Sequence, residues 1–377
     1  MHPMLKPALR RAWRDRGTVQ FGITPAQAVV LSPVDPATGH FLELLDGTQG
    51  MPLLYERARA LNLTPVQVDD LVGRLAAAGV VDDPAAGSPK VEALRDRTDA
   101  RERLRPDLAS LSLLHPDPGD AAKRLAARRA IRVQVRGAGR VGATIAAVLS
   151  GCGVGRVDVL DGGVAQPGDV APGGLPGQAV GERRATAARQ LVRRTSPDGP
   201  PRQGTDTDQS ALSLIVAAPR EPLEMYAPNA MDAEDWIRAG IPHLYAGVVE
   251  TTGVVGPLVL PGGTGCAGCL ALGRADRDPA WPRLLAQWSS GRQRTSVPAC
   301  DLALATAVAG LAAAHALAFL DGDLPASTGS RWEASLPQLD WRSTPVQAHG
   351  DCFCGAVGNT RGEQASTATE PHDTMAR

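Results

Sequence analysis

The residues whose types and spacing could do chemistry begin with three glycines in the segment Ile131–Asp161. This segment contains a short apolar run, the turn GAGRVG with Gly137, Gly139 and Gly142, an Ala-rich stretch, and a second apolar run that ends on Asp161. Such glycines let the backbone approach a phosphate, and the N–H groups that begin the following helix attract an anion. Asp161 lies 24 residues beyond Gly137, close to the roughly 20 expected of a ribose-binding acid. The pattern predicts a nucleotide-binding strand–helix–strand unit; a similar unit that keeps the turn for packing alone is the alternative.

Four of the six cysteines form two close pairs. Cys266 and Cys269 have CxxC spacing, and Cys352 and Cys354 have CxC spacing. Four thiolates hold zinc in a closed tetrahedral site, which is a structural kind of site. Glycine and polar residues surround both pairs, so we predict one structural zinc bound by these cysteines, with His349 able to replace one ligand. Four thiols without metal on two loops are the alternative.

Cys300 stands immediately before a predicted helix that begins at Asp301. A helix N-terminus lowers the pKa of a thiol, which makes Cys300 a candidate catalytic residue, although we favour a structural role. His243 and His315 are interpreted as core or surface histidines, because the chain contains no Ser-His-Asp or HExxH spacing.

Composition argues against several classes of function. The 377 residues carry a formal net charge of −1 and 3% aromatic residues, which disfavours nucleic-acid binding. The N-terminus has no apolar signal-peptide region and the cysteines do not form a disulfide framework, so a cytoplasmic location is expected. Leu302–Leu320 is free of charge over 19 residues. This segment is rich in Ala and lacks basic flanking residues. We therefore predict that it forms a buried helix and does not span a membrane.

The N-terminal residues predict a small α+β module. A basic helix is expected in residues 1–16, and a hairpin of Thr18–Thr24 with Ala28–Leu31 follows. Three helices come next, the last with Thr64 as its N-cap and Pro65 in its first position. This content resembles a winged-helix module, although acids in the third helix disfavour DNA binding.

The rest of the chain alternates predicted helices and strands. The predicted elements are a helix in Gly181–Arg194, a buried strand in Leu212–Ala218, and further strands in Ile241–Val249, Gly253–Leu260 and Ser335–Trp341. The predicted fold class is α/β. It comprises a winged-helix-like module at 1–83, a linker with connecting helices at 84–130, a Rossmann-like domain at 131–355 and a disordered tail at 356–377.

Four segments resemble the ThiF/MoeB-type superfamily, the ubiquitin-activating-enzyme-like adenylyltransferases. They are GAGRVG with GVGRVDVLD, AVGERRATAARQLVRRTSP, AGIPHLYAGVVETTGVVGPLVLPGGTGCAGC and SVPACDLALATAVAGLAAAHALAFL. The resemblance implies a ThiF-type Rossmann domain with a zinc site, in which Gly137, Gly139, Gly142 and Asp161 bind a nucleotide. It also implies that Cys300 stands where some members carry a thioester-forming cysteine.

The chain departs from this family's pattern where ATP chemistry would be done. A second magnesium-binding acid falls at Gly163, and residues 169–173 read DVAPG where the family has a phosphate-binding arginine. The catalytic lysine aligns with Arg183 or Arg184, and the last lysine of the chain is Lys123. The aspartate after a later strand falls at Pro219-Arg220. Since adenylyl transfer needs Mg²⁺ and fixed cations, we expect no independent use of ATP and magnesium, and keep Arg184 as a candidate catalytic residue.

A winged-helix-like module before a degenerate ThiF-like domain resembles the ThiF-like partner proteins of azoline-forming cyclodehydratases in bacteriocin biosynthesis. This resemblance implies that the module grips a leader peptide by strand addition, here beside Thr18–Thr24, and that the chain, as a homodimer, presents the precursor to a YcaO-type enzyme. Two alternatives stay open. One is an active adenylyltransferase acting on the C-terminus of a small carrier protein. The other is an NAD-dependent oxidoreductase, for which no catalytic His, Tyr or Lys pattern follows the glycine turn.

Overall fold

The chain divides into two compact units in the computed structural model, Met1–Ala130 and Ile131–Arg377. The structure describes residues 1–198, 211–290 and 298–358. A disordered tail is predicted for residues 356–377. All of it beyond Gly358 lies outside the described residues.

The first unit begins with short strands and continues with helices. In chain order it contains β1 (Met4–Leu5), β2 (Arg11–Asp15), β3 (Thr18–Phe21), β4 (Val29–Leu31), α1 (Pro36–Leu42), α2 (Met51–Ala60), α3 (Pro65–Ala77), β5 (Val81–Asp82), α4 (Pro89–Arg95), α5 (Thr98–Arg103), α6 (Arg105–Leu114) and α7 (Asp120–Arg128). Strands β2, β3 and β4 form an antiparallel sheet in that order, and β1 pairs with β5. The winged-helix arrangement of this unit stays a prediction.

The basic helix predicted for residues 1–16 is wrong, because this stretch forms β1 and β2. Trp13 of β2 lies opposite Val19 of β3, which is fully buried. The Asp15 side chain accepts a hydrogen bond from the N–H of Gly17 (2.8 Å) and closes the turn between the strands. Pairing with an apolar neighbouring strand therefore outweighs the helix preference of the arginines in β2.

The hairpin predicted around Pro25 is confirmed as β3 and β4. However, β3 is the central strand of its sheet and is hydrogen-bonded to β2 on one side and β4 on the other. The prediction that a peptide strand adds beside Thr18–Thr24 is therefore wrong, because the free edges of this sheet belong to β2 and β4.

The three helices predicted after the hairpin are confirmed as α1, α2 and α3. Thr64 and Gln67 form a capping box at the start of α3, with each side chain accepting a hydrogen bond from the other residue's N–H. The buried side chains of α3 recur at helical spacing and pack into the first unit's core; they are Val68, Leu71, Val72 and Leu75. A separate small core joins α4, α6 and α7.

The second unit is a seven-stranded sheet with helices packed on it. In chain order it contains β6 (Arg132–Arg136), α8 (Arg140–Gly151), β7 (Arg156–Leu160), α9 (Arg184–Thr195), β8 (Leu212–Ala217), α10 (Pro222–Tyr226), α11 (Ala230–Arg238), β9 (His243–Val249), β10 (Thr252–Val259), α12 (Ala267–Arg277), α13 (Trp281–Ser289), α14 (Leu302–Leu320), β11 (Ser330–Ser335) and β12 (Arg342–Pro345). The sheet order is β12-β11-β10-β9-β8-β6-β7, with β7, β6, β8 and β9 parallel and the remaining strands antiparallel. The predicted α/β class and Rossmann-like strand–helix–strand unit are confirmed.

The strand predicted in Ser335–Trp341 is wrong, because β11 ends at Ser335 and the chain turns before β12. Leu339 has a φ of 59°, in the left-handed region, and Pro337 has no N–H to donate to a strand pair. The apolar alternation has another cause, since Leu339 and Trp341 pack against the core from this turn.

The uncharged helix predicted at Leu302–Leu320 is confirmed as α14. The Asp301 side chain caps it by accepting a hydrogen bond from the N–H of Leu304 (3.0 Å). Among the described residues, α14 is the one helix long and apolar enough to cross a membrane. Seven of its side chains are buried, and α14 packs against α8, β9 and β10. This packing favours a core helix over a membrane span.

Candidate functional site

The glycine turn lies between β6 and α8, where the backbone requires glycine at two positions. Gly137 has a φ of 103°, and a Cβ there would lie 1.9 Å from the carbonyl oxygen of Ala218. A Cβ on Gly142 would lie 2.1 Å from the carbonyl oxygen of Gly137. Gly139 is the N-cap of α8. The structure thus brings the three predicted glycines together at the N-terminus of α8, where the helix dipole is positive.

Asp161 follows the end of β7 and lies beside this turn. Its carboxylate accepts hydrogen bonds from the N–H of Ala138 (2.8 Å), the N–H of Gly163 (2.7 Å) and the Nε of Arg184 (3.0 Å to each oxygen). Burial by itself raises the pKa of Asp161, but these hydrogen bonds, with that of Arg184 first, outweigh burial and hold the pKa below its ordinary value. Both carboxylate oxygens are therefore engaged within the chain.

Arg184 lies at the centre of the predicted nucleotide site. It begins α9 and pairs with Asp161, while its Nη1 reaches Asp169 (3.4 Å) and donates to the carbonyl oxygen of Val164 (2.9 Å). The side chains of Arg184, Asp161 and Asp169 are 12%, 6% and 4% exposed. A Cβ on Gly163 would lie 2.1 Å from the Arg184 guanidinium. This guanidinium therefore fills the space that a side chain at position 163 would need.

Asp169 and Arg220 complete an ion-pair network that sequence reasoning missed. One oxygen of Asp169 accepts from the Nε of Arg220 (2.7 Å), and the other accepts from the N–H of Gln166 (2.9 Å). Measured from the position a Cβ on Gly139 would take, the Asp169 Oδ1 is 3.9 Å away and the Arg220 Cγ is 3.6 Å away. The network therefore covers the glycine turn. The sequence pointed to this network only through two departures from the family pattern, at Asp169 and at Arg220, which introduce opposite charges.

A cavity of about 680 Å³ opens beside this network. On its wall the guanidinium of Arg136 lies 4.6 Å from the ring centre of Trp236, as a cation–π pair. Burial lowers the pKa of Arg136. The cavity is lined by three arginines and by five acids, which are Asp161, Glu221, Glu224, Asp232 and Asp235. This balance of charge disfavours a triphosphate.

A second, larger groove of about 1470 Å³ adjoins this cavity, and Glu221 and Glu224 line both. Burial raises the pKa of Glu224, and the nearby carboxylates of Glu221 and Asp232 raise it further. The aromatic side chains of Tyr226 and Trp288 line the groove. The two cavities therefore meet at Glu221 and Glu224, and the smaller one reaches Gly137 of the glycine turn.

Cys300 lies near the same network, and Arg140 donates a hydrogen bond from Nη1 to the Cys300 carbonyl oxygen (2.7 Å). Burial raises the pKa of the Cys300 thiol and outweighs the opposite effect of Arg140. The lowered pKa expected from a helix N-terminus is therefore wrong. Asp301 caps α14 with its own carboxylate, which also raises the thiol pKa. A protonated thiol is a weak nucleophile, which supports a structural role.

The four paired cysteines converge, although Cys266 and Cys352 are 86 residues apart. The Sγ–Sγ distances are 3.9 Å from Cys266 to Cys269, 3.5 Å from Cys266 to Cys352 and 3.4 Å from Cys269 to Cys354. All four Sγ atoms lie within 4.8 Å of one another. In a tetrahedral site with metal–sulfur bonds of about 2.3 Å, neighbouring sulfurs are about 3.8 Å apart. The residues present therefore fit a tetrahedral metal ion.

The backbone around this cluster permits close approach of the sulfurs. A Cβ on Gly268 would lie 2.9 Å from the Sγ of Cys352, so glycine is needed there. The ring of His349 is engaged elsewhere, with Nε2 2.8 Å from Asp276 and Nδ1 accepting from the N–H of Asp351. His349 is therefore not placed as a replacement ligand.

His243 and His315 pack against aromatic rings, as expected of structural histidines. The His243 ring lies 5.2 Å from Trp236 and 5.6 Å from Tyr245, centre to centre, and burial lowers its pKa to about 4. The His315 ring lies 6.2 Å from Trp332, and burial lowers its pKa as well. Both rings are neutral near pH 7, and we assign neither a catalytic role.

Several solved structures share this fold. Escherichia coli MccB with MccA-N7isoAsn is 15% identical over 94% of this chain and 99% of its own, with a TM-score of 0.66. E. coli MccB with ATP is 15% identical over 93% of this chain and 99% of its own, with a TM-score of 0.66. Selenomethionine PaaA is 16% identical over 90% of this chain and 99% of its own, with a TM-score of 0.65. At such identity the likeness shows the fold alone. No curated protein sequence matches this chain significantly.

The ThiF family matches residues 116–208 and 229–355, which is more than half of the chain. These two stretches contain the glycine turn, Arg184 and all four clustered cysteines. They also contain all four segments on which the resemblance was based. This chain therefore belongs to the ThiF family.

Proposed function

We propose that this chain binds a precursor peptide in ribosomal peptide (bacteriocin) biosynthesis and presents it to a separate YcaO-type cyclodehydratase, without adenylating a substrate by itself. One observation carries the proposal. The guanidinium of Arg184 fills the space beside Gly163 and pairs with both Asp161 and Asp169, so the acids at the predicted nucleotide site are already neutralised by the chain's own arginine.

The residues at the glycine turn do not fit ATP with magnesium in this arrangement. Mg²⁺ is bound through carboxylates and substrate phosphates, but Asp161 is committed to Arg184 and position 163 carries no side chain. Lysine does not occur beyond Lys123, and arginine is not a simple replacement for a lysine that contacts a phosphate closely. These features support a degenerate adenylyltransferase.

A structural zinc is the metal we propose for Cys266, Cys269, Cys352 and Cys354. Four thiolates form a soft, closed ligand set that leaves no open position for a reacting molecule. Two ligands lie at the start of α12 and two lie after β12. When bound, such an ion stabilises the folded state, because a site of this kind does not exist in the unfolded chain.

The first unit supplies the peptide-binding surface in this proposal. Its edge strand β2 carries charged residues, among them Arg14 and Asp15, and an irregular register near Asp15, features that oppose strand pairing. The other edge strand, β4, reads VVL, and Val30 is 49% exposed. We therefore assign strand addition to the free edge of β4, where main-chain hydrogen bonds would hold a leader peptide.

The structural relatives support a peptide ligand. MccB, a microcin C7 biosynthetic enzyme, has been crystallised with N-formylated MccA and with MccA-N7isoAsn. The groove of about 1470 Å³ shares Glu221 and Glu224 with the cavity beside the glycine turn, which offers a peptide a route to that turn.

We also infer a homodimer and a cytoplasmic location. The exposed side of α14 is apolar and small, with Ala303, Ala307, Gly310 and Ala314 along it, and small residues let helices approach closely. All six cysteines lie in the described residues and none of them forms a disulfide, which agrees with a reducing compartment.

The second candidate function is an active adenylyltransferase that acts on the C-terminus of a small carrier protein. The retained glycine turn and Asp161 favour it, as does the complex of MccB with ATP. This candidate requires Arg184 to leave Asp161 when nucleotide binds.

ATP–pyrophosphate exchange by the purified full chain separates the two candidates. We expect exchange at background for the chain alone and with a precursor peptide, while fluorescence polarisation reports peptide binding. Adding the YcaO-type partner should produce ATP-dependent modification of the peptide. Exchange by the chain alone that is lost in Asp161→Ala, and kept in Asp158→Ala, would establish the adenylyltransferase instead.

A further inference from the structure

We propose that the cavity of about 680 Å³ beside the glycine turn binds a basic side chain of the precursor peptide, a lysine or an arginine, between Asp232 and the hydroxyl of Tyr245. This inference rests on the proposed function, in which the chain binds a precursor peptide, and it names the class of residue that the second unit recognises. The volume of the cavity lies within the range of pockets that hold small ligands.

The side chain of Tyr245, on β9, is the first observation. Tyr245 lines the cavity and is only 4% exposed, and its hydroxyl makes no hydrogen bond with any residue that the structure describes. Burial raises the pKa of Tyr245, and the nearby carboxylate of Asp232 contributes to the increase. Buried polar groups in folded proteins are almost always hydrogen-bonded. A buried hydroxyl that lacks a partner in a cavity wall therefore indicates a group bound in that cavity.

The second observation is a set of unpaired acids in the same wall. Three acids that line the cavity have no cationic group within 4 Å among the described residues, and they are Glu221, Glu224 and Asp232. The other two acids of the cavity are paired, Asp161 with Arg184 and Asp235 with Arg238. After burial, the charges of the other two unpaired acids raise the pKa of Glu224. A bound cation relieves this repulsion between carboxylates.

Arg136 leaves these acids unpaired, although it lines the same cavity. Its guanidinium lies 4.6 Å from the ring centre of Trp236, and its Nε donates to the side-chain oxygen of Gln134 (2.8 Å). The wall therefore has three unpaired negative charges and one unpaired positive charge, a formal excess that suits a cation. A lysine or arginine side chain carries donors alone, which match the Asp232 carboxylate and the acceptor lone pairs of the Tyr245 hydroxyl.

The adjoining groove of about 1470 Å³ has the same sign of charge. It shares Glu221 and Glu224 with the cavity, and the other charged residues of its lining are three acids and one arginine, namely Glu250, Glu333, Asp340 and Arg342. A peptide that reaches the cavity along this groove passes mainly carboxylates. Complementary charge therefore favours a basic peptide segment over an acidic one.

Nuclear magnetic resonance of the full chain, with isotope-labelled tryptophan, tests the proposal. The indole N–H of Trp236 reports on the cavity that this residue lines, and the variant Trp236→Phe identifies its signal. We expect N-acetyl-arginine amide and N-acetyl-lysine amide to shift this signal saturably. N-acetyl-citrulline amide has nearly the shape of the arginine probe without its charge, and it should leave the signal unchanged.

Variants of the full chain assign the binding to the proposed contacts. Asp232→Asn should weaken the binding of N-acetyl-arginine amide about tenfold, because a hydrogen bond to a charged group is lost. Tyr245→Phe removes only the hydroxyl and should weaken it about two- to tenfold. Glu234→Gln is the matched control and should not change the affinity. Glu234 lies on the same helix as Asp232 but pairs with Arg238 and does not line the cavity.

The proposal is overturned if neither basic probe shifts the Trp236 signal, if the citrulline probe shifts it equally, or if Asp232→Asn binds as tightly as the unmodified chain. Asp232 is exposed on α11, so its variant should fold, which circular dichroism checks. It decides the outcome if Tyr245→Phe does not fold. Fluorescence polarisation of a leader peptide tests the proposed function separately. A chain that binds this peptide while the basic probes leave Trp236 unaffected contradicts only the site for a basic side chain.

Discussion

Arg184 holds Asp161 through both carboxylate oxygens, each 3.0 Å from the guanidinium Nε. The two residues are 23 positions apart, one after the end of β7 and the other at the start of α9. The family resemblance implies a nucleotide-binding role for Asp161 and places the catalytic lysine at Arg183 or Arg184. Here Asp161 and Arg184 satisfy each other, and a buried pair of this kind is costly to break by removing one partner.

The stability contributed by Asp161 should depend on pH in a defined direction. Its pKa is lower in the folded chain than the ordinary 3.8, so the unfolded chain binds the proton more readily. The contribution is therefore present above pH 3.8 and is lost as the pH falls through the folded pKa. We expect Asp161→Asn to lower the free energy of unfolding most near pH 7, with a difference from the unmodified chain that shrinks below about pH 4.

Urea unfolding from pH 7 down to about pH 2.5 measures this difference. Asp158→Asn is the control, because its carboxylate is 25% exposed and paired with arginines near the surface. It should change the free energy of unfolding by no more than about 0.5 kcal/mol. A difference for Asp161→Asn that stays constant over the whole range contradicts the prediction.

Alanine substitutions at the adjacent glycines Gly162 and Gly163 test whether the Arg184 guanidinium fills the space beside position 163. A Cβ on Gly163 would lie 2.1 Å from Nη2 of Arg184, whereas a Cβ on Gly162 would meet nothing within 4 Å. Gly163→Ala should displace the guanidinium from Asp161 and lower the free energy of unfolding by about 1–3 kcal/mol. Gly162→Ala should stay within about 0.5 kcal/mol of the unmodified chain. Equal stability of the two variants would show that Arg184 does not occupy this space.

Local sequence signals predicted the elements that nearby residues determine. Thr64 and Pro65 start α3 as expected, and the glycine turn joins β6 to α8 as expected. The stretch at residues 1–16 was mispredicted because its strand conformation depends on pairing with β3, which no local preference of its arginines reports. The Ser335–Trp341 strand failed for a related reason, since tertiary packing of a turn can imitate strand alternation.

The candidate site was predictable only in its backbone. Glycine spacing located the turn, and paired cysteine spacing located the sulfur cluster. The ion-pair network was not predictable, because Asp161, Arg184, Asp169 and Arg220 come from four separate segments whose side chains meet only in the folded unit. Arg184, Asp169 and Arg220 stand where the sequence departs from the family pattern, and the structure shows that they balance one another and the retained Asp161 in charge.

Zinc analysis tests the sulfur cluster. Protein purified without added zinc should contain about one equivalent per chain, because four thiolates bind zinc tightly. Cys266→Ser should lose the metal and unfold at a lower temperature, since the binding free energy of such a site is largely folding free energy. Cys152→Ser, a change outside the cluster, should retain the metal. Fully stable protein without metal would contradict the proposed zinc site.

Proline substitutions distinguish the edge strand β4 from the central strand β3 as the peptide site. Alternate residues of an edge strand direct their N–H groups to the partner strand and to the free edge. One of Val29→Pro and Val30→Pro should therefore keep the module folded and weaken leader-peptide binding at least about tenfold, measured by fluorescence polarisation. Gln20→Pro, in the strand paired on both sides, should instead destabilise the module by about 3 kcal/mol or more. If both β4 variants fold and bind the peptide with unchanged affinity, the prediction of strand addition at β4 is wrong.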